Sequence, residues 1–465
     1  MHIALLASVL TFNAAAASAT LSTTAPTSTG DEAKPTLDAP PESASLRTAQ
    51  GGRHRLRLEL PLLDTRNLGT LESPSLRQSM AYTKDAYYLG HLPALELSRY
   101  LGGGEWLAIP LTDLAIAALP LGYAWLHEEW HRGVLGRRGI GSYNGVYDFE
   151  FGAEVTKVSD VSDEALSRLK REHPAEMVRL SSAGIESQHA LSLEFDKDRF
   201  FYGTRAGTVF QQWQNTLSAI AYMATASSAS GDEVTARLLR DEGTNVAQRD
   251  FTGMDPVGWV YDLHRPDEPY EARGVHPSGV GVDRYRTTAD LTASERGYLR
   301  TQTWLTALNF VNPNLFGLHA FEFDTASGAK VRWNASVQHY LTPFGSSTTL
   351  NGFLQVDSWQ WFLQLHAHAN ANQVLPGASV GLMAFPGVPG RLVAAAHLWL
   401  QPEDQSFFAR KARPGAAVEL RSSLPIGRSF EVYSALTAKT AGWLAGNEYL
   451  DAEWDAVLGL QTIAF

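Results

Sequence analysis

The stretch LHEEWHR holds two histidines and a glutamate, His127, Glu128 and His131, at a spacing that can do chemistry. Side chains four residues apart in a helix lie on one face, so both imidazoles can aim a nitrogen at one ion about 2 Å away. Glu128, one step round, points beside such an ion rather than at it. From there it can take a proton from a water molecule that the metal activates and pass it to a leaving group. The chemistry on offer is metal-assisted hydrolysis. The plain alternative is two polar residues at a helix end, where cations suit the dipole.

A catalytic ion needs a third protein ligand and one open position. SSAGIESQHALSLEF supplies Glu186 among residues that can be buried (Ala183, Ile185, Ala190), with His189 as an alternative or additional ligand. The pattern His-Glu-x-x-His resembles the motif of zincin metallopeptidases, matched at His127, Glu128 and His131. The extended metzincin form needs a glycine and a histidine where this chain has Val134 and Arg137. The resemblance therefore implies the class whose third ligand is a glutamate on a later helix. Its terms are Zn2+ on His127, His131 and Glu186, Glu128 as catalytic base, and a peptide or protein substrate. A second metal reading pairs Glu128-x-x-His131 with Glu186-x-x-His189, the i,i+3 arrangement of di-iron carboxylate bundles, with Glu96 as a further donor. A Pro/Gly-rich loop gathers His264, Asp267, Glu268, Glu271, His276 and Asp283, as a solvated connection, a substrate lid or a second ion site. His366 and His368 share one strand face. Tyr143 and Tyr147 follow the motif closely enough to donate to an oxyanion.

The elements that must position these residues change texture along the chain. From about Phe316 polar and apolar residues alternate: in KVRWNASVQHYL, Val331, Trp333, Ala335 and Val337 oppose Lys330, Arg332, Asn334, Ser336 and Gln338. The pattern recurs about eight times between Pro/Gly turns and predicts antiparallel strands. The chain ends at Phe465, and Tyr340, Trp359, Trp399, Trp443 and Trp454 fall near predicted strand ends. Together these features resemble a bacterial outer-membrane β-barrel, whose apolar face meets lipid and whose lumen is polar; a soluble all-β domain is the alternative. RLRLELPLL and VYDFEFGAEV alternate too and could join the same sheet.

Before Phe316 the reading is mainly helical. EWLAIPLTDLAIAALPLGYAWLHEEWHR, interrupted by Pro110, Asp113 and Pro120, is long enough to cross a bilayer. A lipid-embedded helix normally retains a protein in the inner membrane, so burial as a core helix or barrel plug is the expectation. Helices are also expected over AGTVFQQWQNTLSAIAYMATAS and over TASERGYLRTQTWLTALNFV, which opens with Thr292 and Glu295 as a capping box. The fold class expected is α+β: a helical region with the metal motif, inserted in or preceding an antiparallel barrel of about 8–12 strands. The divisions expected are 1–19 signal peptide, 20–52 disordered linker, 53–315 metal-site region and 316–465 barrel.

Composition bounds the rest. The 465 residues carry 38 Lys and Arg against 49 Asp and Glu, a net charge of −11, and no basic run, which argues against nucleic acid as a partner. With no cysteine, disulfides and thiolate metal sites are excluded. MHIALLASVLTFNAAAASA has the apolar run and small-x-small ending of an export signal. The function expected is an exported, outer-membrane-associated zinc hydrolase, first of all a peptidase. The alternatives are a non-enzymatic barrel with a helical plug, a zinc lipid hydrolase, and a periplasmic or secreted location.

Overall fold

Long alternating segments find their hydrogen bonds in one antiparallel sheet. The computed structural model describes residues 56–67, 73–117, 119–148, 156–204, 208–385, 391–427 and 429–462. The strands of the carboxyl third are β4 (Phe321–Asp324), β5 (Lys330–Thr342), β6 (Gly345–Val356), β7 (Trp359–Ala369), β8 (Val374–Ala384), β9 (Arg391–Pro402), β10 (Ala412–Ile426), β11 (Phe430–Lys439) and β12 (Glu453–Thr462). Each pairs with its sequence neighbour, and β12 pairs in turn with β1 (Leu58–Asp64). A short hairpin, β2 (Tyr143–Asn144) with β3 (Val158–Ser159), stands apart.

The ten-stranded sheet is open, not a closed barrel, and this corrects the expectation from alternation. The free edge of β1 shows why. Its peptide groups are met by side chains of α1 (Leu76–Tyr100) instead of by a strand. The Glu59 N–H donates to the Asp85 carboxylate at 2.9 and 3.2 Å, and the Pro61 carbonyl accepts from Gln78 and Tyr82 at 3.4 Å each. A helix satisfies the edge that closure would have satisfied. β1 also corrects the division at 315/316, since a strand from the amino-terminal region completes the sheet.

The polarity of the sheet is inverted. Asn334, Ser336, Gln338, Asn351 and His368 are buried against the helices, while Leu350, Leu365, Val380, Leu398, Val418 and Leu436 are exposed on the outer face. The inner face and the helices enclose a cavity of about 320 Å³ lined by Glu59, Lys84, Glu194, Lys197, Glu419 and Arg421. Of the expected interfacial aromatics, Trp359 and Trp454 are exposed, but Tyr340, Trp399 and Trp443 are buried and line the interior. Residues 1–19, the linker 20–52 and Phe465 lie outside the described residues.

The remaining helices are α2 (Glu105–Ala117), α3 (Tyr123–Gly136), α4 (Asp163–Glu172), α5 (Pro174–Tyr202), α6 (Val209–Ala226), α7 (Ala229–Asp241), α8 (Asp255–His264) and α9 (Ala293–Thr306). The capping box at Thr292 and Glu295 is present, and α6 lies where its periodicity places it. The long apolar run divides at Leu119–Gly122 into α2 and α3, and among the described residues no helix is long and apolar enough to cross a membrane. VYDFEFGAEV is no strand where it is described: Gly145–Asp148 is a 3-10 turn, and 149–155 lie outside the described residues. Trp125, Leu126, Trp130, Val134 and Leu135 of α3 pack with Leu180 and Ala183 of α5 and Leu166 and Leu169 of α4 in the main core. That core holds the motif helix rigidly on α5.

Candidate metal centre

Helix α3 places His127 and His131 on one face, as four-residue spacing requires, with His131 fully buried and His127 nearly so. The third group on that face is Asp255, the first residue of α8. Among the described residues, His127, His131 and Asp255 form the group whose ligand atoms all lie within 4.8 Å of one another. Asp255 Oδ2 is 3.0 Å from His127 Nε2 and 3.2 Å from His131 Nε2. Ligands about 2.05 Å from a tetrahedral ion stand about 3.3 Å apart, so these separations suit a shared metal.

Two further observations test the fit. His131 Nε2 is buried and 3.2 Å from Asp255 Oδ2 but outside good hydrogen-bond geometry to it, while His127 Nε2 hydrogen-bonds that same oxygen at 3.0 Å. Its other nitrogen, Nδ1, donates to the Leu180 carbonyl at 2.6 Å, which fixes the ring and turns Nε2 toward Asp255, where it could ligate an ion. Gly184 makes room for the other imidazole: a Cβ there would lie 2.2 Å from His127 Nε2. Leu180 and Gly184 are one turn apart on α5 and both serve the site. The ring of Phe251 packs 5.0 Å from that of His131 and seals it from water. Burial alone disfavours a charged imidazolium, yet the Asp255 carboxylate outweighs it and raises His131 to about 9. Burial likewise pushes Asp255 up, but His131 and His127 hold it well below the usual carboxylate range.

Glu128 is buried beside the ligands, and its Oε1 accepts from the Thr156 hydroxyl at 2.8 Å. The next residue, Glu129, is a structural acid. Its Oε1 accepts from Arg132 at 2.7 Å and Asn144 at 2.8 Å, tying α3 to the β2–β3 hairpin. Asp255 is positioned by the turn before it: Asp250 accepts from the N–H groups of Phe251 at 2.8 Å and Gly253 at 3.2 Å. Burial raises the Asp250 carboxyl well above its ordinary range, and the carboxylates of Glu128 and Asp255 push it further. The Asp255 N–H donates to the Tyr222 hydroxyl at 3.0 Å, which brings the end of α6 to the site.

Glu186 does not belong to this centre. Two residues past Gly184 on a helix is about 200° of rotation, so it faces away from α3. Its carboxylate accepts from Arg179 at 3.0 and 3.2 Å, from Trp443 Nε1 at 3.2 Å and from the Gly446 N–H at 2.9 Å, anchoring the β11–β12 connection. His189 is buried against Tyr340 and Asn309, also outside the ligand group. The di-iron set is likewise not assembled, for Glu96 is an exposed partner of Arg99. Tyr143 donates to Asp148, and the Tyr147 hydroxyl accepts from Trp125 Nε1. The acidic loop is pinned rather than lid-like: Asp262 holds Arg273 at 2.7 and 2.8 Å and Lys170 at 3.0 Å, and Asp163 holds Arg284 at 2.8 Å. His366 bonds Thr349 and Ser379 on the inner sheet face.

The sequence signal for Asp255 is slight. An Asp before Pro256 marks a helix start, which satisfies the residue without any metal. Comparison of the chain with protein-family models, with curated proteins and with solved structures finds no match.

Proposed function

We propose that this protein is a metal-dependent hydrolase of amide or ester bonds, with a zinc ion held by His127, His131 and Asp255. The observation that carries the reading is the convergence of these three donors beside a buried glutamate one residue from the first histidine. A divalent ion there supplies Lewis acidity to a carbonyl oxygen and makes water more acidic. Glu128, held by Thr156 at Oε1, accepts the proton of the attacking water at Oε2. The water oxygen joins the carbonyl carbon, the C–N or C–O bond breaks, and Glu128 returns the proton to the leaving group. His131, fixed by Leu180, and His127, seated over Gly184, keep the donors in place through the cycle. Two histidines and a carboxylate also suit ferrous iron; the placement of Glu128 favours hydrolysis.

The inverted sheet supports a second element of the reading, that the chain works embedded in lipid at the outer membrane. Leucines facing out and asparagines and ion pairs facing in fit hydrocarbon outside better than water. Elemental analysis of purified protein is the test. About one zinc per chain, absent in Asp255→Ala and retained in Glu128→Gln, is expected. Glu128→Gln should lower hydrolysis of peptide and acyl-ester substrates by about 10²–10⁴-fold. A wild type that stays metal-free after incubation with zinc would overturn the hydrolase reading in favour of a non-enzymatic embedded sheet with a helical filling.

A further inference from the structure

Edge strands β1 and β4 do not pair with each other, and helices occupy the interval between them. Helix α1 takes the free edge of β1 through Asp85, Gln78 and Tyr82. Helix α2 packs on α1, α6 packs on α2, and Trp213 of α6 donates to the Leu315 carbonyl at 2.7 Å, just before β4. The wall therefore continues around the molecule as strand, helix and strand. This helical stretch is apolar outside too: Leu89, Leu97, Trp106, Leu111 and Phe316 are all exposed.

The area of that surface selects its occupant. Ten strands about 4.8 Å apart, with about ten residues each at about 3.3 Å, present an outer face of about 1,600 Å². A partner in a standard protein interface covers about 800 Å², and a flat partner cannot follow a surface that turns around the molecule. Acyl chains of a bilayer can.

The helical stretch is also where the wall meets the metal centre. Helix α2 leads through Leu119–Gly122 straight into α3, and Gly122 sits so tightly on α2 that a Cβ would lie 2.1 Å from the Ile116 carbonyl oxygen. Helix α6 carries Tyr222, whose hydroxyl holds the Asp255 N–H. Of the thirteen residues of α2 only Ile109, Asp113 and Ala117 are buried. Its amino end hangs on Gly102–Gly103–Gly104, all at positive φ and free of neighbours within 4 Å of a built Cβ. One polar contact fastens it. Asp113, fully buried, meets His91 Nε2 of α1 at 2.5 Å and lies against the backbone N–H of Gln211 on α6. His91 Nδ1 and Asp113 Oδ2 have no partner in this apolar seam, a costly arrangement that packing alone does not require.

We propose that the site takes an acyl chain of a membrane phospholipid, admitted sideways from the bilayer between α1 and α2 when the His91–Asp113 latch opens. This rests on the lipid-embedded hydrolase reading and gives it a substrate class and a route. The phospholipid's ester carbonyl would then reach His127, His131 and Asp255 without leaving the hydrocarbon, and the leaving alcohol would take the proton from Glu128.

The chain has no cysteine, so Gly90→Cys with Ile116→Cys gives a single disulfide across α1 and α2; a Cβ at 90 would lie 3.5 Å from Ile116 Cγ1. Wild type, this double variant and Asp113→Asn are reconstituted in phosphatidylcholine vesicles doped with a phosphatidylcholine bearing a diazirine at the acyl terminus. After irradiation, adducts are mapped by peptide mass spectrometry. Labelling is expected on β7 and β9 in every state. It is also expected on the buried peptides 123–136 and 250–264 in wild type. Oxidising the double variant should cut that inner labelling at least tenfold and reduction restore it, and Asp113→Asn should raise it severalfold. Strand labelling with silent inner peptides in both wild type and Asp113→Asn overturns the route, as does inner labelling indifferent to the disulfide. Absence of strand labelling overturns the lipid embedding beneath it. Neither outcome depends on bound metal or turnover, so the hydrolase reading stands or falls separately on the elemental analysis.

Discussion

The candidate metal centre and the sheet obey opposite rules of polarity. Around His127, His131 and Asp255 the packing is that of an ordinary apolar core: Leu126, Trp130, Leu180 and Phe251 surround a few polar atoms. In the sheet the polar residues are inside and the leucines outside. On the lipid-embedded reading proposed above, one chain meets two environments, and side-chain burial follows whichever lies beyond each surface. The Arg57–Glu59–Lys84–Asp198 network, buried between β1, α1 and α5, belongs to the inverted part; Lys84 Nζ lies 3.2 Å from Glu59 and 3.0 Å from Asp198.

The comparison can be broken most forcibly at Gly184. Replacing it with leucine puts atoms where the His127 ring stands, so metal content should fall to background while the sheet stays folded by circular dichroism. Glu186→Ala should do the reverse: unpairing the buried Arg179 costs about 3–5 kcal/mol in denaturant titration, yet zinc is retained because the ligand face is untouched. Leu365→Arg probes the outer face. In vesicles it should destabilise by about 2–4 kcal/mol, whereas an exposed site in water would tolerate it. An unchanged stability there would mean that water, not lipid, covers β7.

A further effect, read as a pH slope, concerns Asp250. Its folded carboxyl is raised, so the native state holds a proton that the unfolded chain has released above the ordinary carboxylate range. Stability therefore falls as pH rises out of that range, by at most about 1.4 kcal/mol per pH unit for one proton. Asp250→Asn keeps an acceptor for the Phe251 N–H but cannot ionise. Denaturation of metal-stripped protein over pH 4–8 should show a flatter pH dependence in the variant, and equal slopes would remove the carboxyl from the account.

The residues that touch their neighbours in sequence were legible. Four-residue spacing placed His127 and His131 on one face, the Thr292–Glu295 box opened α9, and alternation through Lys330–Gln338 gave β5 with its two unlike faces. What alternation could not disclose is which face meets solvent, or that Asp85 would occupy the edge of β1 and hold the sheet open. Glu186 was plausible by type and setting, but its bearing on α5 is counted from Gly184, and the function of Gly184 exists only once His127 lies against it.

Sequence by itself determined the local periods: a helix bearing two histidines and a glutamate, a run of long strands, and an apolar stretch broken by prolines. Tertiary structure decided which carboxylate stands with the two histidines, because such a grouping is a coincidence in space among α3, α5 and α8. Asp255 stands 128 positions from His127, a separation that hydrogen bonding and hydrophobic periodicity do not encode. It joins them because the Asp250 turn and the Tyr222 hydroxyl aim the first residue of α8 at the ring that Leu180 has already fixed.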